Sequence, residues 1–63
     1  MAWVCVDEDG QEAVFETKPY REFKYNEWFR ESLYSDEMVR FKKGTIEKII
    51  GRVLTWDDEP VEI

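Results

Sequence analysis

The last third of the chain, residues 43–63, constrains the fold most, because residue choice there nearly dictates the local structure. Thr45 is a good N-cap and Gly51 a good C′ residue, so we predict a short helix over Ile46–Ile50. The three isoleucines of this helix are spaced to share one face, which we expect to be buried.

A turn and a closing strand are predicted after the helix. Asp57–Pro60 is rich in turn-forming residues, and Val61–Ile63 alternates apolar and polar residues as a strand does. Trp56 comes directly before the turn. We expect its indole to anchor this part of the chain in the core, since a buried tryptophan removes a large apolar area from water.

Size and composition limit how the fold can be stabilised. A chain of 63 residues buries only about 60% of its unfolded surface and is marginally stable alone. The single cysteine, Cys5, excludes an intramolecular disulfide, and without histidine one cysteine cannot build a zinc site. We therefore predict no metal and no cofactor. The aromatic residues (three Trp, three Tyr, four Phe) are left to form the core or a shared interface.

The cysteine content and the pattern of apolar residues indicate the cellular compartment of the protein. A lone cysteine is typical of a reducing environment. Residues 1–7 lack a basic segment and are too short for a signal-peptide core, and no apolar run approaches the roughly 18 residues of a membrane span. We expect a single cytoplasmic domain over residues 1–63 and no association with a membrane.

Charge is distributed unevenly along the chain, whose net charge is −6. Residues 1–16 hold five acids and no base, residues 53–63 hold four acids and no base, and residues 17–52 hold nine bases and six acids. Direct nucleic-acid binding through a basic footprint is therefore disfavoured. The acids indicate a solvated surface; the alternative is an acidic patch that receives a basic partner or imitates nucleic-acid phosphates.

The first sixteen residues predict a β-hairpin, because Asp7–Gly10 has the chemistry of a short hairpin loop. The register that follows pairs Val6 with Glu12, Cys5 with Ala13, Val4 with Val14, and Trp3 with Phe15. Period-two alternation then makes one face the core face, with Val4 and Val14 on the opposite face among polar neighbours. The predicted core face carries Trp3, Cys5, Ala13 and Phe15, so we expect Cys5 to be buried and inert.

The middle of the chain is less determined. Pro19 ends the second strand within Lys18–Arg21. For residues 22–37 two alternatives stand: a two-turn helix capped by Asn26 with Trp28, Phe29 and Leu33 on one side, or a strand over Tyr25–Phe29 followed by a turn at Ser35–Glu37. Extended structure is favoured, because two helical turns are marginal.

A further strand is predicted over Glu37–Lys42, with Val39 and Phe41 facing the core and a basic outer face at Met38, Arg40 and Lys42. Together the elements predict an α+β fold, in which a small antiparallel sheet packs one short helix. The expected core consists of Trp3, Phe15, Phe41, Ile46, Ile49 and Trp56.

No motif in the sequence predicts catalysis. Residues 5–16 resemble a calcium loop at Asp7, Asp9, Gly10 and Glu16, but Cys5 stands where the first oxygen ligand belongs, which favours a plain hairpin turn. Cys5 has no histidine to activate it. The adjacent carboxylates of residues 57–59 lie in a turn, where such groups are usually exposed. We predict that the protein is not an enzyme.

Two groups are candidate partner-binding residues. Aromatic and arginine side chains dominate binding energy at protein interfaces, which singles out Trp28, Phe29 and Arg30, with Phe23, Tyr25 and Arg21 nearby. The alternative is that these aromatics complete the core of a small domain. The second group is the acidic turn of Asp57, Asp58 and Glu59.

Residues 7–15, Lys18–Pro19 and residues 43–62 resemble small uncharacterised acidic proteins of gut bacteria and of their phages and prophages. The similarity covers both ends of the chain and leaves residues 20–38 uncovered. No activity is assigned to that family, so no functional residue is carried over. The resemblance implies a short intracellular accessory protein that acts by binding.

The sequence therefore predicts a non-enzymatic protein-binding module of phage or prophage type, whose partner is a host or phage protein. The alternative is an acidic nucleic-acid mimic that inhibits a DNA- or RNA-binding protein. A mimic should present its acids as one surface and lose its partner in salt, whereas a binder with an apolar, aromatic-centred patch should tolerate salt. Self-association through an unpaired edge strand would make a homo-oligomer.

Overall fold

The computed structural model describes residues 1–30 and 37–63. Four strands form an antiparallel sheet in the order β5-β2-β1-β6, and two form a separate antiparallel hairpin, β3-β4. The predicted α+β fold, a small antiparallel sheet with one short helix, is confirmed. The elements are β1 (Trp3–Val6), β2 (Glu12–Phe15), β3 (Tyr20–Glu22), β4 (Glu27–Phe29), β5 (Met38–Phe41), α1 (Thr45–Ile50) and β6 (Val61–Glu62).

The predicted β1–β2 hairpin is confirmed in all of its pairs: Trp3 with Phe15, Val4 with Val14, Cys5 with Ala13, and Val6 with Glu12. The Asp7 amide donates to the Gln11 carbonyl at 2.9 Å, and the Gly10 amide donates to the Asp7 carbonyl at 2.9 Å. Gly10 has φ 90°, the left-handed conformation that the loop requires and that glycine adopts without strain. Local turn chemistry thus sets the register.

The prediction of one core on one face of this hairpin is wrong, because both faces are covered. On one face a helix-side cluster buries Val4, Val6, Ile46 and Leu54. On the other, a hairpin-side cluster buries Cys5, Ala13, Phe15 and Trp28. Helix α1 and the segment after it cover Val4, so Val4 is more deeply buried than Trp3.

The predicted core residues divide accordingly. Phe15 and Ile46 are buried, whereas Phe41 and Trp56 are half-buried at the margins of the two clusters. Trp3 is also half-buried, and Ile49 is 46% exposed. A helix of six residues has little more than one turn and a half, so it buries Ile46 and leaves Ile49 outward.

Helix α1 begins one residue earlier than predicted, and Thr45 is not its N-cap. Gly44 holds that position with φ 93°, and the Thr45 hydroxyl donates to the Lys42 carbonyl instead. The Glu12 carboxylate from β2 accepts from the Gly44 amide at 2.8 Å and the Ile46 amide at 2.9 Å. The end of the helix is as predicted: Gly51 has φ 81° and donates to Glu47.

Hairpin β3–β4 settles part of the uncertain middle region. Glu27–Phe29 is a strand, as the extended alternative predicts. Asn26 has φ 54° in the loop before it and caps no helix. Tyr20–Glu22 is a strand that the sequence analysis did not predict. The predictions involving Leu33, Ser35 and Asp36 lie outside the described residues.

The strand predicted over residues 37–42 is confirmed as β5, but its faces differ from the prediction. Phe41 packs against the helix-side cluster, while Val39 on the same face is 55% exposed. Met38 packs against the hairpin-side cluster and Arg40 reaches Asp7. The expected basic outer face is therefore in part an inner one, because the β3–β4 hairpin covers that side of the sheet.

The predicted C-terminal strand is confirmed as β6, in which Val61 pairs with Val4 of β1. The turn before it lies over Thr55–Asp58, earlier than predicted. The Asp58 carboxylate accepts from the Thr55 amide at 2.8 Å, which closes the turn around Trp56. Among the described residues, no helix is both long and apolar enough to cross a membrane.

Candidate binding surface

The β3–β4 hairpin presents large aromatic side chains to solvent. We call residues Tyr20–Phe29 the aromatic hairpin. Phe23 is 70% exposed, Tyr25 57% and Tyr20 40%. The Tyr25 ring stacks on the half-buried Phe29 with centroids 5.7 Å apart, and Tyr20 meets Phe29 edge-on at 6.2 Å. The rings thus support one another along the outer side of the hairpin.

The aromatic hairpin is fastened to the main sheet at the end of β1. The Trp28 amide donates to the Asp7 carboxylate at 2.9 Å, and the Trp28 indole Nε1 donates to the Val6 carbonyl at 2.9 Å. The loops also meet: the Glu8 amide donates to the Asn26 carbonyl at 3.2 Å, and the Asn26 side chain donates to the Glu8 carboxylate at 3.0 Å. These bonds fix the hairpin against the sheet.

Asp7 is central to this attachment, since it is a charged group with only 4% of its surface exposed. One carboxylate oxygen accepts from Trp28, and the other lies 3.4 Å from the Arg40 guanidinium. A buried carboxylate costs free energy unless it is paired and hydrogen-bonded, and Asp7 has both kinds of partner. The sequence signal at Asp7 was turn chemistry, so this second role was missed.

Arg21 joins the aromatic hairpin to the acidic turn. Its guanidinium lies near two tryptophan rings that contact each other, 4.6 Å from the Trp28 centroid and 5.0 Å from the Trp56 centroid. It donates to the Trp56 and Asp58 carbonyls at 2.9 and 3.2 Å and pairs with Glu59 at 3.3 Å. Its Nε is buried and has no hydrogen-bond partner among the described residues.

An open groove of about 470 Å³ runs beside this arrangement. Its walls include Pro19, Tyr20, Phe23, Trp28 and Glu59. Phe23 and Trp28 of this wall both contact the Trp56 ring edge-on, with centroids 6.2 and 5.6 Å away. The groove combines ring faces with one carboxylate that is 73% exposed.

The predicted binding residues fall into different environments. Trp28 is only 5% exposed, so it belongs to the core, which is the alternative that the sequence left open. Phe29 is half-buried within the hairpin, and Arg30 is exposed directly after it.

In the acidic turn, Asp57 and Glu59 are exposed and Asp58 is half-buried. Arg21 contacts the Trp28 ring as well as Asp58 and Glu59, so the two predicted groups meet at this residue although they are distant in the sequence. Tyr20 was missed because residues 20–22 were not predicted to be a strand.

Cys5 is buried as predicted, and burial raises the pKa of its thiol from 9.0 to about 12; the Asp7 charge adds to the rise and Arg40 opposes it. The thiol is therefore protonated near neutral pH. In residues 1–30 and 37–63, no three acidic or cysteine side chains are placed to hold a metal ion.

Comparison of this chain with protein families, curated proteins and solved structures finds no match. The resemblance to small acidic proteins of gut bacteria and phages therefore stays a prediction from the residues. So does the cytoplasmic location.

Proposed function

We propose that this chain is a non-enzymatic protein-binding module and that its contact surface is the aromatic hairpin. One observation carries the proposal: Phe23 and Tyr25 stand mostly exposed in a loop whose base is fixed to the sheet. Large exposed rings cost a soluble protein unless a partner covers them, and they are the residues that most often dominate interface energetics.

The rigid attachment of the hairpin supports this proposal. Association costs free energy wherever a loop must be ordered on binding. Here the loop is already held by the paired bonds between Glu8 and Asn26 and by the two Trp28 bonds. A partner would therefore meet a preorganised aromatic surface.

The acidic nucleic-acid mimic is less favoured, because several acids already have internal partners. Asp7 pairs with Arg40, Glu12 caps helix α1, Asp58 closes its own turn and Glu59 pairs with Arg21. Two of these acids belong to each acid-rich end of the chain. Fewer acidic side chains therefore remain to imitate a row of nucleic-acid phosphates.

The experiment uses the 63-residue chain as bait in extract of its native cell. The test variant is Phe23→Ser/Tyr25→Ser, which removes the exposed rings. The matched control is Ile49→Ser/Val53→Ser, which removes two exposed aliphatic side chains, 46% and 62% exposed, from helix α1 and the segment after it. Circular dichroism checks that each variant is folded.

We expect a specific protein to be retained by the wild type and the control but lost by the aromatic variant. Salt should weaken this retention but not abolish it, because apolar contacts are not screened by salt. A protein that both variants retain equally, and that salt releases, would contradict the proposal and favour the mimic.

A further inference from the structure

The groove beside the aromatic hairpin already shows which chemical group its rings accept. The guanidinium of Arg21 lies 4.6 Å from the Trp28 ring of the groove and 5.0 Å from the neighbouring Trp56 ring, while its nitrogens reach two carbonyls and Glu59. Ring faces and a carboxylate together form a favourable environment for a planar cation. The outer part of the same groove repeats these components.

Two rings and one carboxylate of the groove are partly open to solvent, so they are available to a partner. Phe23 is 70% exposed and Tyr20 40%, so much of each ring is open to solvent. The Glu59 side chain is 73% exposed and contacts Arg21 through one oxygen at 3.3 Å. A second guanidinium could therefore stack on Phe23 and share the Glu59 carboxylate.

The overall charge of the chain favours a basic occupant. Among the described residues, the groove itself holds two bases and one acid: the Arg21 guanidinium lies 4.6 Å from the Trp28 ring centroid, the Lys18 ammonium lies 5.4 Å from the Trp3 ring centroid, and Glu59 is the acid. Asp57, two residues before Glu59, is exposed, and the whole chain carries a net charge of −6. A cation that approaches is therefore attracted by the field of the whole chain and, inside the groove, by the exposed Glu59 carboxylate.

We propose that the partner places an arginine side chain of a basic segment in this groove, against Phe23 and Glu59. The inference rests on the proposed function, since it names the partner chemistry for the same surface. Arginine is preferred to lysine because its guanidinium is planar, stacks on rings and bonds a carboxylate through two nitrogens.

The probe is a short Gly-Ser peptide that carries three arginines, titrated into the isotopically labelled chain and followed by amide chemical shifts. Matched peptides replace arginine with lysine, with citrulline, which is neutral and of similar shape, or with proline. The protein variants are Phe23→Ala and Glu59→Gln. Glu47→Gln is their control, because it removes the same charge from an exposed position on helix α1.

We expect shifts in Tyr20–Phe23 and Glu59, with affinity in the order arginine, lysine, then citrulline. Phe23→Ala and Glu59→Gln should each weaken binding about two- to fivefold, as removal of one exposed ring–cation or ion-pair contact does. Glu47→Gln should leave the affinity unchanged.

The inference would be overturned by equal binding of the arginine and lysine peptides, by equal weakening through Glu47→Gln and Glu59→Gln, or by binding of the proline peptide as tight as that of the arginine peptide. An absence of peptide binding would overturn it as well. If a cellular protein is still retained through Phe23 and Tyr25, the arginine inference fails while the proposed function stands. If no cellular protein depends on these rings, the proposed function itself fails.

Discussion

The carboxylate of Glu12 accepts the Ile46 amide at 2.9 Å and so caps a helix that begins more than thirty residues later in the chain. Its second oxygen accepts the Gly44 amide at 2.8 Å. Both donors belong to the first turn, whose amides have no acceptor inside the helix. A strand residue thus does what an N-cap side chain usually does.

We expect Glu12→Ala to destabilise the fold by about 1 kcal/mol, since it removes the cap of a helix too short to be stable alone. The measurement is the free energy of unfolding in urea. Glu16→Ala is the control, because Glu16 is an exposed acid just beyond the same strand. Equal effects of the two substitutions would show that net charge, not capping, is responsible.

Asp7→Ala should destabilise the chain by roughly 1–3 kcal/mol, because it leaves the buried Trp28 amide without an acceptor and Arg40 without its partner. The comparison is Asp57→Ala, the same truncation at an exposed position. Hydrogen exchange at the Trp28 amide provides the local readout. If that exchange stays slow in the folded Asp7→Ala variant, Asp7 does not hold the hairpin.

Arg21→Lys should lower stability by about 1 kcal/mol although the charge is kept, because the compact lysine ammonium cannot contact both tryptophan rings and also reach the Trp56 and Asp58 carbonyls. Arg52→Lys is the control at an exposed site. Urea unfolding followed by circular dichroism avoids the tryptophan signal, which Arg21 itself perturbs. An unchanged midpoint for Arg21→Lys would mean that only the charge of this residue matters.

Cys5 should react slowly with a thiol reagent near neutral pH and rapidly once the chain is unfolded in urea. Burial shields the thiol from the reagent and raises its pKa from 9.0 to about 12, so between these pH values the folded state keeps the proton while the unfolded state loses it. The corresponding stability is fully present below pH 9.0 and is lost as pH rises towards 12.

Between these pH values the wild type should lose stability relative to Cys5→Ala. The control for reagent access is labelling of the unfolded wild type at the same pH. Rapid, stoichiometric labelling of the folded protein at neutral pH would show that the β1–β2 face is open.

Local patterns sufficed where neighbouring residues decide the structure. The Asp-Gly loop determines the register of β1 and β2, and Gly51 ends helix α1 because only residues tolerant of positive φ fit there. Alternation of apolar and polar residues predicted β5 and β6. These signals act within a few residues, so they are present in the sequence itself.

Tertiary structure decided which faces are buried and where the candidate site lies. Period-two alternation cannot tell that helix α1 covers Val4 while the aromatic hairpin covers Cys5, since each covering element comes from elsewhere in the chain. Asp7 and Glu12 look like turn and surface acids in sequence, yet their oxygens meet amides more than twenty residues away. Arg21 likewise contacts Trp56 only in the folded chain, because the two residues are 35 positions apart in the sequence.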